Sequence, residues 1–231
     1  PERRKDYPSG AIGGRDLRTE YEKDYQKIIG SASFRRLQDK TQVFPLDKSD
    51  FIRTRLTHSL EVSSFARSLG QNIGKNLLAA KKDDSFSWRT MEDMCNVLQC
   101  AGLIHDIGNP PFGHFGETAI RQWFREKLPE LKFYDRRVED MLTEQMKQDF
   151  YQFEGNAQAL RLISKLHFST DECGLNLTYA LMSTIIKYPV SSLETDPAAG
   201  DLKKHKMGYF YADREVFQEI QESTGTHGCR N

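Results

Sequence analysis

The chain has 231 residues, a length that suits one domain with a substantial core. Its 33 basic and 33 acidic side chains cancel to a formal net charge of zero, which argues against a general polyanion binder while allowing local basic patches. The sequence contains neither an apolar run of membrane-spanning length nor a recognisable signal peptide, so we expect a cytoplasmic protein without a membrane partner.

The first half of the chain predicts a polar arm followed by helices. Residues 1–16 are polar and contain three glycines, which indicates an arm or loop, and we place one domain at 17–231. Val43 and Phe44 could form a short strand that Pro45 would limit. Apolar spacing predicts helices over 18–37, 51–82 and 91–107.

The second half continues the helical pattern. Residues 129–138 and 190–201 look irregular. The basic run at 203–206, taken alone, is expected to be a solvated loop rather than a binding site. The predicted helices cover 117–124, 139–166, 178–188 and 213–222. The sequence shows no repeat, low-complexity tract or alternating-strand pattern, so the predicted fold class is all-α.

The helix predicted over 91–107 carries a histidine and an aspartate at its end. Its apolar positions recur at spacings of three and four, namely Met91, Met94, Leu98 and Ala101. His105 is the next position on that face and should point to the interior, and Asp106 follows it. Gly108 and the two prolines after it end the helix. Buried polar groups are costly unless they are paired or bind a metal, so this pair indicates a site.

Two more ionisable residues follow the loop. His114 and Glu117 are three residues apart and share one face if a new helix starts there. A single histidine on an apolar face is at least as often a core residue with one hydrogen-bond partner. Here two histidines, an aspartate and a glutamate lie in one stretch of about thirteen residues that contains a loop shaped by glycine and proline. This grouping favours a functional site over a structural role.

A second informative stretch, residues 53–61, begins the helix predicted over 51–82. His58 lies one turn from Arg55 and from Glu61. The helix dipole disfavours an arginine near a helix N-terminus, which mildly favours a ligand-facing role for Arg55 over a solvated one. Apolar residues mostly one or two turns apart extend this helix: Leu56, Leu60, Phe65, Leu69, Ile73 and Leu77.

Two imidazoles and one carboxylate would meet if His58 and the His105–Asp106 pair lay together. Such a mixed set suits Mn, Fe, Co, Ni, Zn or, with water, Mg. A bound divalent ion can lower the pKa of water and neutralise phosphate charge. Three ligands are few for a six-coordinate ion. The candidates for a fourth, none with a supporting pattern, are Asp171, Asp196, Asp201 and Asp213.

The cysteines form no CxxC pair, so neither a zinc ribbon nor a redox motif is indicated. They are Cys95, Cys100, Cys173 and Cys229. We expect free or buried thiols of a reducing cytosol. The chain starts at Pro1 rather than methionine, and we expect it to be cut at both ends.

The order of these motifs resembles a known family. A histidine followed one helix–loop–helix later by His-Asp is similar to the HD superfamily of metal-dependent phosphohydrolases. Four blocks resemble, more narrowly, the deoxyguanosine triphosphate triphosphohydrolase family: FRRLQDKTQVFP at 34–45, RTRLTHSLEV at 53–62, HDIGNPPFGHFGE at 105–117 and FEGNAQALR at 153–161. The resemblance implies an HD-domain helical bundle that stops before the C-terminal part of the family fold.

The resemblance also implies residue roles. His58, His105 and Asp106 match the ligands of one divalent ion, which would be Mn, Mg, Fe or Co. His114 and Glu117 match the catalytic pair. The residues that match substrate contacts are Gln42 at the deoxyribose, Arg55 at a phosphate, Asn156 near the nucleotide and Lys206 at the triphosphate, with Lys203 or Lys204 as substitutes for Lys206.

The implied reaction is hydrolysis of deoxynucleoside triphosphates, with dGTP favoured, to a deoxynucleoside and inorganic tripolyphosphate by attack on the α-phosphorus. The family's fourth ligand is an aspartate in an A-D-D segment, which we expect beyond Asn231. The resemblance implies a homo-oligomer and allows a nucleotide effector and weak binding of single-stranded DNA.

Three other interpretations remain open at this point. Another HD hydrolase would act on nucleoside monophosphates or cyclic dinucleotides, although the order of the blocks argues against it. A nucleotide-sensing or nucleic-acid-binding module without turnover could use a basic patch around Arg35, Arg36 and Lys40, although the neutral net charge weakens it. The chain could also be a folded but inactive part of a longer protein.

Overall fold

The computed structural model describes residues 2–5, 16–42, 49, 51–81, 83–167 and 172–226. Several sequence predictions fall outside the described residues: most of the arm, the short strand at Val43 and Phe44, the candidate ligand Asp171, and Cys229. Cys95 and Cys100 are buried free thiols, as predicted. Burial raises the pKa of the Cys100 thiol to about 12, so this cysteine behaves as an apolar core residue.

Helices dominate the described residues, so the predicted all-α class is confirmed. They are α1 Glu20–Gly30, α2 Ala32–Arg36, α3 Arg55–Ala80, α4 Trp88–Ile104, α5 Gly113–Lys127, α6 Glu144–Tyr151, α7 Gly155–Arg161, α8 Tyr179–Thr184 and α9 Arg214–Thr224. Short 3-10 turns cover Leu37–Asp39, Glu139–Met141, Leu202–Lys204 and Tyr211–Asp213, and a π-helical turn at Leu162–Leu166 extends α7. None of the helices in the described part of the chain has the length and hydropathy to span a bilayer.

The region predicted to be irregular at 129–138 contains a two-stranded antiparallel hairpin. Strand β1, Lys132–Phe133, pairs with β2, Arg136–Arg137, in the register that puts Lys132 opposite Arg137. Each strand has only two residues and both are exposed. The hairpin is therefore a surface turn and leaves the fold class unchanged.

Two of the predicted helices are each divided by a capping residue. Ser31 ends α1 by donating its backbone N–H to Ile28, and its hydroxyl accepts from the Phe34 N–H to start α2. The predicted helix 139–166 breaks between α6 and α7, where Glu154 adopts an extended backbone. Both boundaries depend on side-chain and tertiary hydrogen bonds that apolar spacing does not reveal.

Two other predicted helices have different lengths. Helix α5 begins at Gly113, four residues before the predicted start. Helix α8 ends at Thr184 rather than at Tyr188. Pro189 explains the second difference, because a proline disfavours helical backbone at the residue before it.

Helix α3 packs on α4 through small side chains. A Cβ added at Gly70, Gly74 or Gly102 would collide with the facing helix, and Ser63 donates its hydroxyl to the backbone carbonyl of Gln99. The apolar residues that predicted α3 lie mostly at the surface: Leu60, Phe65, Leu69, Ile73 and Leu77. The predicted helix is therefore confirmed, but its contact face consists of serine and glycine, which allow close approach.

The main core lies between α1, α2, α4, α7, α8 and α9. Its fully buried side chains include Ile28, Leu103, Ile104, Leu160, Leu181 and Phe217. Burying one such side chain stabilises the fold by about 1.5–3 kcal/mol. Because Leu103, Ile104 and Ile107 are all anchored in this core, the His105–Asp106 segment between them is held at its edge.

The described part of the predicted arm packs against this body. Arg3 pairs with Thr178 in an isolated antiparallel bridge, and its guanidinium donates to Asp24 Oδ1 over 3.2 Å. Asp24 is fully buried, and burial raises the pKa of its carboxyl. Residues 2–5 are therefore an anchored segment.

Candidate active site

The structure brings the three predicted metal ligands together. His58 lies at the end of the first turn of α3, and His105 and Asp106 directly follow α4. One ligand atom from each residue lies within 4.8 Å of the others. The two imidazole ring centroids are 5.2 Å apart, with 67° between the ring planes. The close α3–α4 contact is what allows this approach.

Hydrogen bonding orients His105 for a ligand role. Its Nδ1 lies 2.8 Å from the backbone carbonyl of Gly102, and a carbonyl can only accept, so Nδ1 carries the proton. Nε2 then keeps a free lone pair, and it lies 3.6 Å from Asp106 Oδ1. Two imidazoles and a carboxylate, with one imidazole oriented by the Gly102 carbonyl, fit a divalent cation.

Asp106 is held from two sides. Arg55 donates to its Oδ2 over 2.7 Å, and the Asn109 amide donates to its Oδ1 over 2.6 Å. The Asp106 side chain is nearly buried. A carboxylate offers about four lone-pair positions, so these two hydrogen bonds leave acceptor capacity for a cation.

Arg55 faces the site, as the sequence predicts, rather than solvent. Its side chain is buried, and its Nε has no hydrogen-bond partner among the described residues. Gly113 leaves room for it, since a Cβ there would lie 2.6 Å from the guanidinium. The guanidinium is therefore a fixed positive charge beside the ligand group, which suits an anionic ligand.

The predicted catalytic pair forms one contact on α5. His114 Nδ1 donates to Glu117 Oε2 over 2.8 Å. The histidine side chain is 83% exposed, whereas the glutamate is 2% exposed. Glu117 Oε1 also accepts from the Gly155 N–H over 2.9 Å. A buried, fixed carboxylate therefore orients an accessible imidazole, whose Nε2 stays available.

The start of α7 lies between the two groups. A Cβ on Gly155 would collide with Asn109 Oδ1 and would lie 2.9 Å from Glu117 Oε1. Asn109 holds Asp106, and Glu117 holds His114. The loop that carries the predicted ligands and the predicted catalytic pair therefore meet at one glycine.

Two predicted substrate residues share one partner. The Asn156 amide donates to Glu154 Oε1 over 2.8 Å, and Lys206 Nζ lies 3.0 Å from Glu154 Oε2. Arg121 also donates to Glu154. Lys203 and Lys204, the alternatives to Lys206, lie exposed in a 3-10 turn.

Gln42 lies beside the segment that leads into α3. Its backbone N–H donates to the Arg53 carbonyl over 3.3 Å, and Thr41 pairs with Thr54 in a bridge. Its Oε1 is buried without a hydrogen-bond partner among the described residues. Gln42 is thus close in the fold to Arg55, which starts α3.

The three fourth-ligand candidates among the described residues do not join the cluster. Asp213 is fully buried but pairs with Arg161 and Lys165. Asp196 lies in the loop after α8, and Asp201 starts a 3-10 turn. The described residues contain no fourth carboxylate, histidine or cysteine in the His58 group. A fourth ligand beyond residue 231 stays a prediction.

Sequence reasoning missed four residues that support the site. They are Lys40, Asn109, Arg121 and Glu154. Lys40 donates to the Asn109 carbonyl over 2.6 Å, and burial lowers the pKa of its ammonium, with the Arg55 charge adding to the effect. Asn109 follows Asp106 by three residues, a spacing that could have indicated its role. Arg121 and Glu154 carried no local signal, because their pairing spans 33 residues.

The sequence model of the HD domain family matches residues 55–184, which is more than half of the chain. The chain belongs to the HD domain family. The matched range runs from Arg55, at the start of α3, to Thr184, at the end of α8, and includes the His105–Asp106 dipeptide. Gln42 and Lys206 lie outside the matched range.

Curated relatives of the HD domain protein agree with the resemblance read from the four blocks. A deoxyguanosinetriphosphate triphosphohydrolase-like protein of Listeria innocua is 54% identical over 209 residues, which cover 90% of this chain and 44% of the relative. One of Pseudomonas aeruginosa PAO1 is 40% identical, with the same coverage of both chains. A deoxyguanosinetriphosphate triphosphohydrolase of Yersinia pestis is 36% identical, covering 93% of this chain and 46% of its own. The chain spans a little under half the length of these relatives.

Proposed function

We propose that this HD domain belongs to a metal-dependent phosphohydrolase of deoxynucleoside triphosphates, favouring dGTP, that releases a deoxynucleoside and inorganic tripolyphosphate. One observation carries the proposal: His58, His105 and Asp106, from distant segments, place their ligand atoms within 4.8 Å of one another. The names of the relatives supply the substrate class.

One divalent ion, Mn, Mg, Fe or Co, is proposed as the cofactor. His58, His105 through Nε2, and Asp106 would hold it. When bound, such an ion supplies Lewis acidity toward a phosphate and lowers the pKa of water.

Charge and hydrogen bonds from the chain would bind the substrate. Arg55 and Lys206 would offset negative charge on the phosphates, because phosphoryl transfer depends largely on positioning and electrostatics. Gln42 would contact the deoxyribose, and Asn156 would lie near the nucleotide. The fixed positive charge of Arg55 beside the ligand group and the partly exposed ammonium of Lys206 support these roles.

His114 is proposed to move the proton. Water attacks the α-phosphorus, the new oxygen–phosphorus bond forms, and the bond from phosphorus to the 5′ oxygen breaks. The 5′ oxygen must gain a proton and the attacking water must lose one. His114, held through Nδ1 by Glu117, would accept a proton at Nε2 from the attacking water or, once protonated there, give it to the 5′ oxygen.

Product analysis in labelled water tests the proposal. The chain, and a longer form that includes the region found in its relatives, would be assayed with the four deoxynucleoside triphosphates and Mg, Mn or Co. Ion-exchange chromatography and ³¹P NMR should show tripolyphosphate, with ¹⁸O from water in tripolyphosphate and none in the deoxynucleoside. Pyrophosphate or monophosphate as the product would contradict the proposed reaction and would favour another HD hydrolase.

Other expectations stay predictions of the resemblance: a homo-oligomer, a nucleotide effector, weak binding of single-stranded DNA and a cytoplasmic location. Of the residues invoked for nucleic acid, Arg35 and Arg36 are exposed, whereas Lys40 is partly buried and donates to the Asn109 carbonyl. DNA binding with a steep salt dependence but no hydrolysis would favour the binding module.

A further inference from the structure

Glu154 is a fully buried carboxylate with an unusual number of partners. It precedes α7, and its side chain accepts no hydrogen bond from the backbone of that helix. Arg121 donates to Oε2 over 3.0 Å, Asn156 donates to Oε1 over 2.8 Å, and Lys206 lies 3.0 Å from Oε2 and 3.2 Å from Oε1. The carboxylate therefore organises three side chains from three segments.

Arg121 explains why an ionised glutamate is tolerated there. A buried carboxylate needs an opposite charge and hydrogen bonds. The Arg121 guanidinium supplies both, and its Nε is anchored on the Phe153 carbonyl over 2.6 Å. The same guanidinium lies 3.7 Å from Glu117 Oε2. Glu154 thus keeps acceptor capacity for Lys206 and Asn156.

Lys206 needs such a partner in order to have a defined position. A lysine ammonium stands on a flexible stem of four carbons, and Lys206 lies in a loop after the 3-10 turn Leu202–Lys204. Its side chain is 32% exposed. The ammonium has three donors, so two contacts with Glu154 leave one for a phosphate oxygen.

We infer that Glu154 is a positioning residue, which holds the Lys206 ammonium and the Asn156 amide in place for the triphosphate of the substrate. This role rests on the proposed function. Glu154 acts through Lys206 and Asn156 and transfers no proton itself. Its removal should therefore weaken substrate binding more than it slows the chemical step.

The variant Glu154→Gln keeps the shape of the side chain and removes its charge. Loss of a charged hydrogen bond weakens an interaction about ten-fold or more, so KM for the deoxynucleoside triphosphate should rise about ten-fold while kcat stays within about three-fold. Affinity for inorganic tripolyphosphate, measured by calorimetric titration, should fall by a similar factor. Glu154→Asp, which keeps the charge on a shorter stem, should recover part of both.

A double-mutant cycle separates positioning from general destabilisation. If Glu154 acts in part through Lys206, then the loss in the double variant Glu154→Gln, Lys206→Gln should be clearly smaller than the sum of the two single losses. A merely structural role would give additive losses, with kcat and melting temperature falling together. Should Glu154→Gln fail to fold, the cycle can be run with Glu154→Asp.

Glu130→Gln is the matched control. It removes a glutamate charge from an exposed pair, in which Lys127 Nζ and Glu130 Oε2 are 2.9 Å apart, and should change neither KM nor tripolyphosphate affinity. Unchanged tripolyphosphate affinity in Glu154→Gln, or additive effects in the cycle, would overturn the inference alone. The proposed function fails separately, if the wild-type protein forms no tripolyphosphate from any of the four deoxynucleoside triphosphates in the product analysis.

Discussion

Arg55 and Asp106 form a buried ion pair across the candidate metal centre, with 2.7 Å between Nη1 and Oδ2. The arginine starts α3 and the aspartate follows α4, so the pair joins the two helices at the point where His58 and His105 meet. Any change that moves Arg55 should therefore be felt at the proposed ligand group.

Gly113→Ala is expected to displace Arg55. Gly113 has φ of +55°, and an added Cβ would lie 2.6 Å from the Arg55 guanidinium. We expect kcat/KM to fall about 10- to 100-fold because the guanidinium is misplaced, with a stability loss of about 1 kcal/mol. Steady-state kinetics and urea unfolding would measure the two effects.

Gly200→Ala is its control. Gly200 also has a positive φ, +70°, but an added Cβ meets no atom within 4 Å. The backbone cost should be similar and kcat/KM should be unchanged. Equal losses of activity in the two variants would show that the collision with Arg55 is irrelevant.

Asn109→Ala is expected to weaken metal binding. The Asn109 amide donates to Asp106 Oδ1 and so orients a predicted metal ligand. Loss of a hydrogen bond that orients a ligand lowers metal affinity by about 10- to 100-fold. Titration with Mn²⁺ or Co²⁺ would give the dissociation constant. Asn96→Ala, which removes a side chain that accepts from Arg67, should leave it unchanged. Equal affinities in wild type and Asn109→Ala would remove Asn109 from the site.

His114→Ala is expected to abolish turnover while metal content is retained. A positioned acid–base group contributes about 10²- to 10⁴-fold in rate, and His114 is absent from the cluster of proposed ligands. Single-turnover assays and elemental analysis test the two halves of this prediction. Gln122→Ala, at an exposed position on the same helix, should behave as wild type. Normal turnover in His114→Ala would exclude its catalytic role.

Lys27 should make stability depend on pH in the alkaline range. Burial lowers the pKa of its ammonium from 10.5 to about 8, and Nζ donates to the Asn176 carbonyl. Between these values the unfolded chain binds more protons than the folded one, so the free energy of unfolding should rise with pH from about 8 to 10. The full pKa difference corresponds to about 3 kcal/mol, which partial solvent contact reduces to about 1–2 kcal/mol.

Urea unfolding at pH 7.5 and pH 10 would measure this effect. Lys27→Met should lose the rise relative to wild type, and Lys75→Met, which changes an exposed lysine on α3, should keep it. If Lys27→Met and wild type change in parallel between the two pH values, Lys27 is not the group responsible.

The sequence by itself determined the local features of the protein. Helical spacing predicted the all-α class and placed His105 and Asp106 at the end of α4, and the interval of three residues predicted that His114 and Glu117 would touch. These predictions succeeded because helical periodicity decides which side chains share a face, whatever the rest of the chain does.

Only the tertiary structure decided which distant residues meet. The contact face of α3 is a seam of serine and glycine, and the apolar residues that predicted the helix lie outside it. His58 reaches His105, and Glu154 holds both Lys206 and Asn156, through the packing of separate segments. Such pairings depend on close approach of backbones and on the burial of charge, and neither leaves a periodic trace in the sequence.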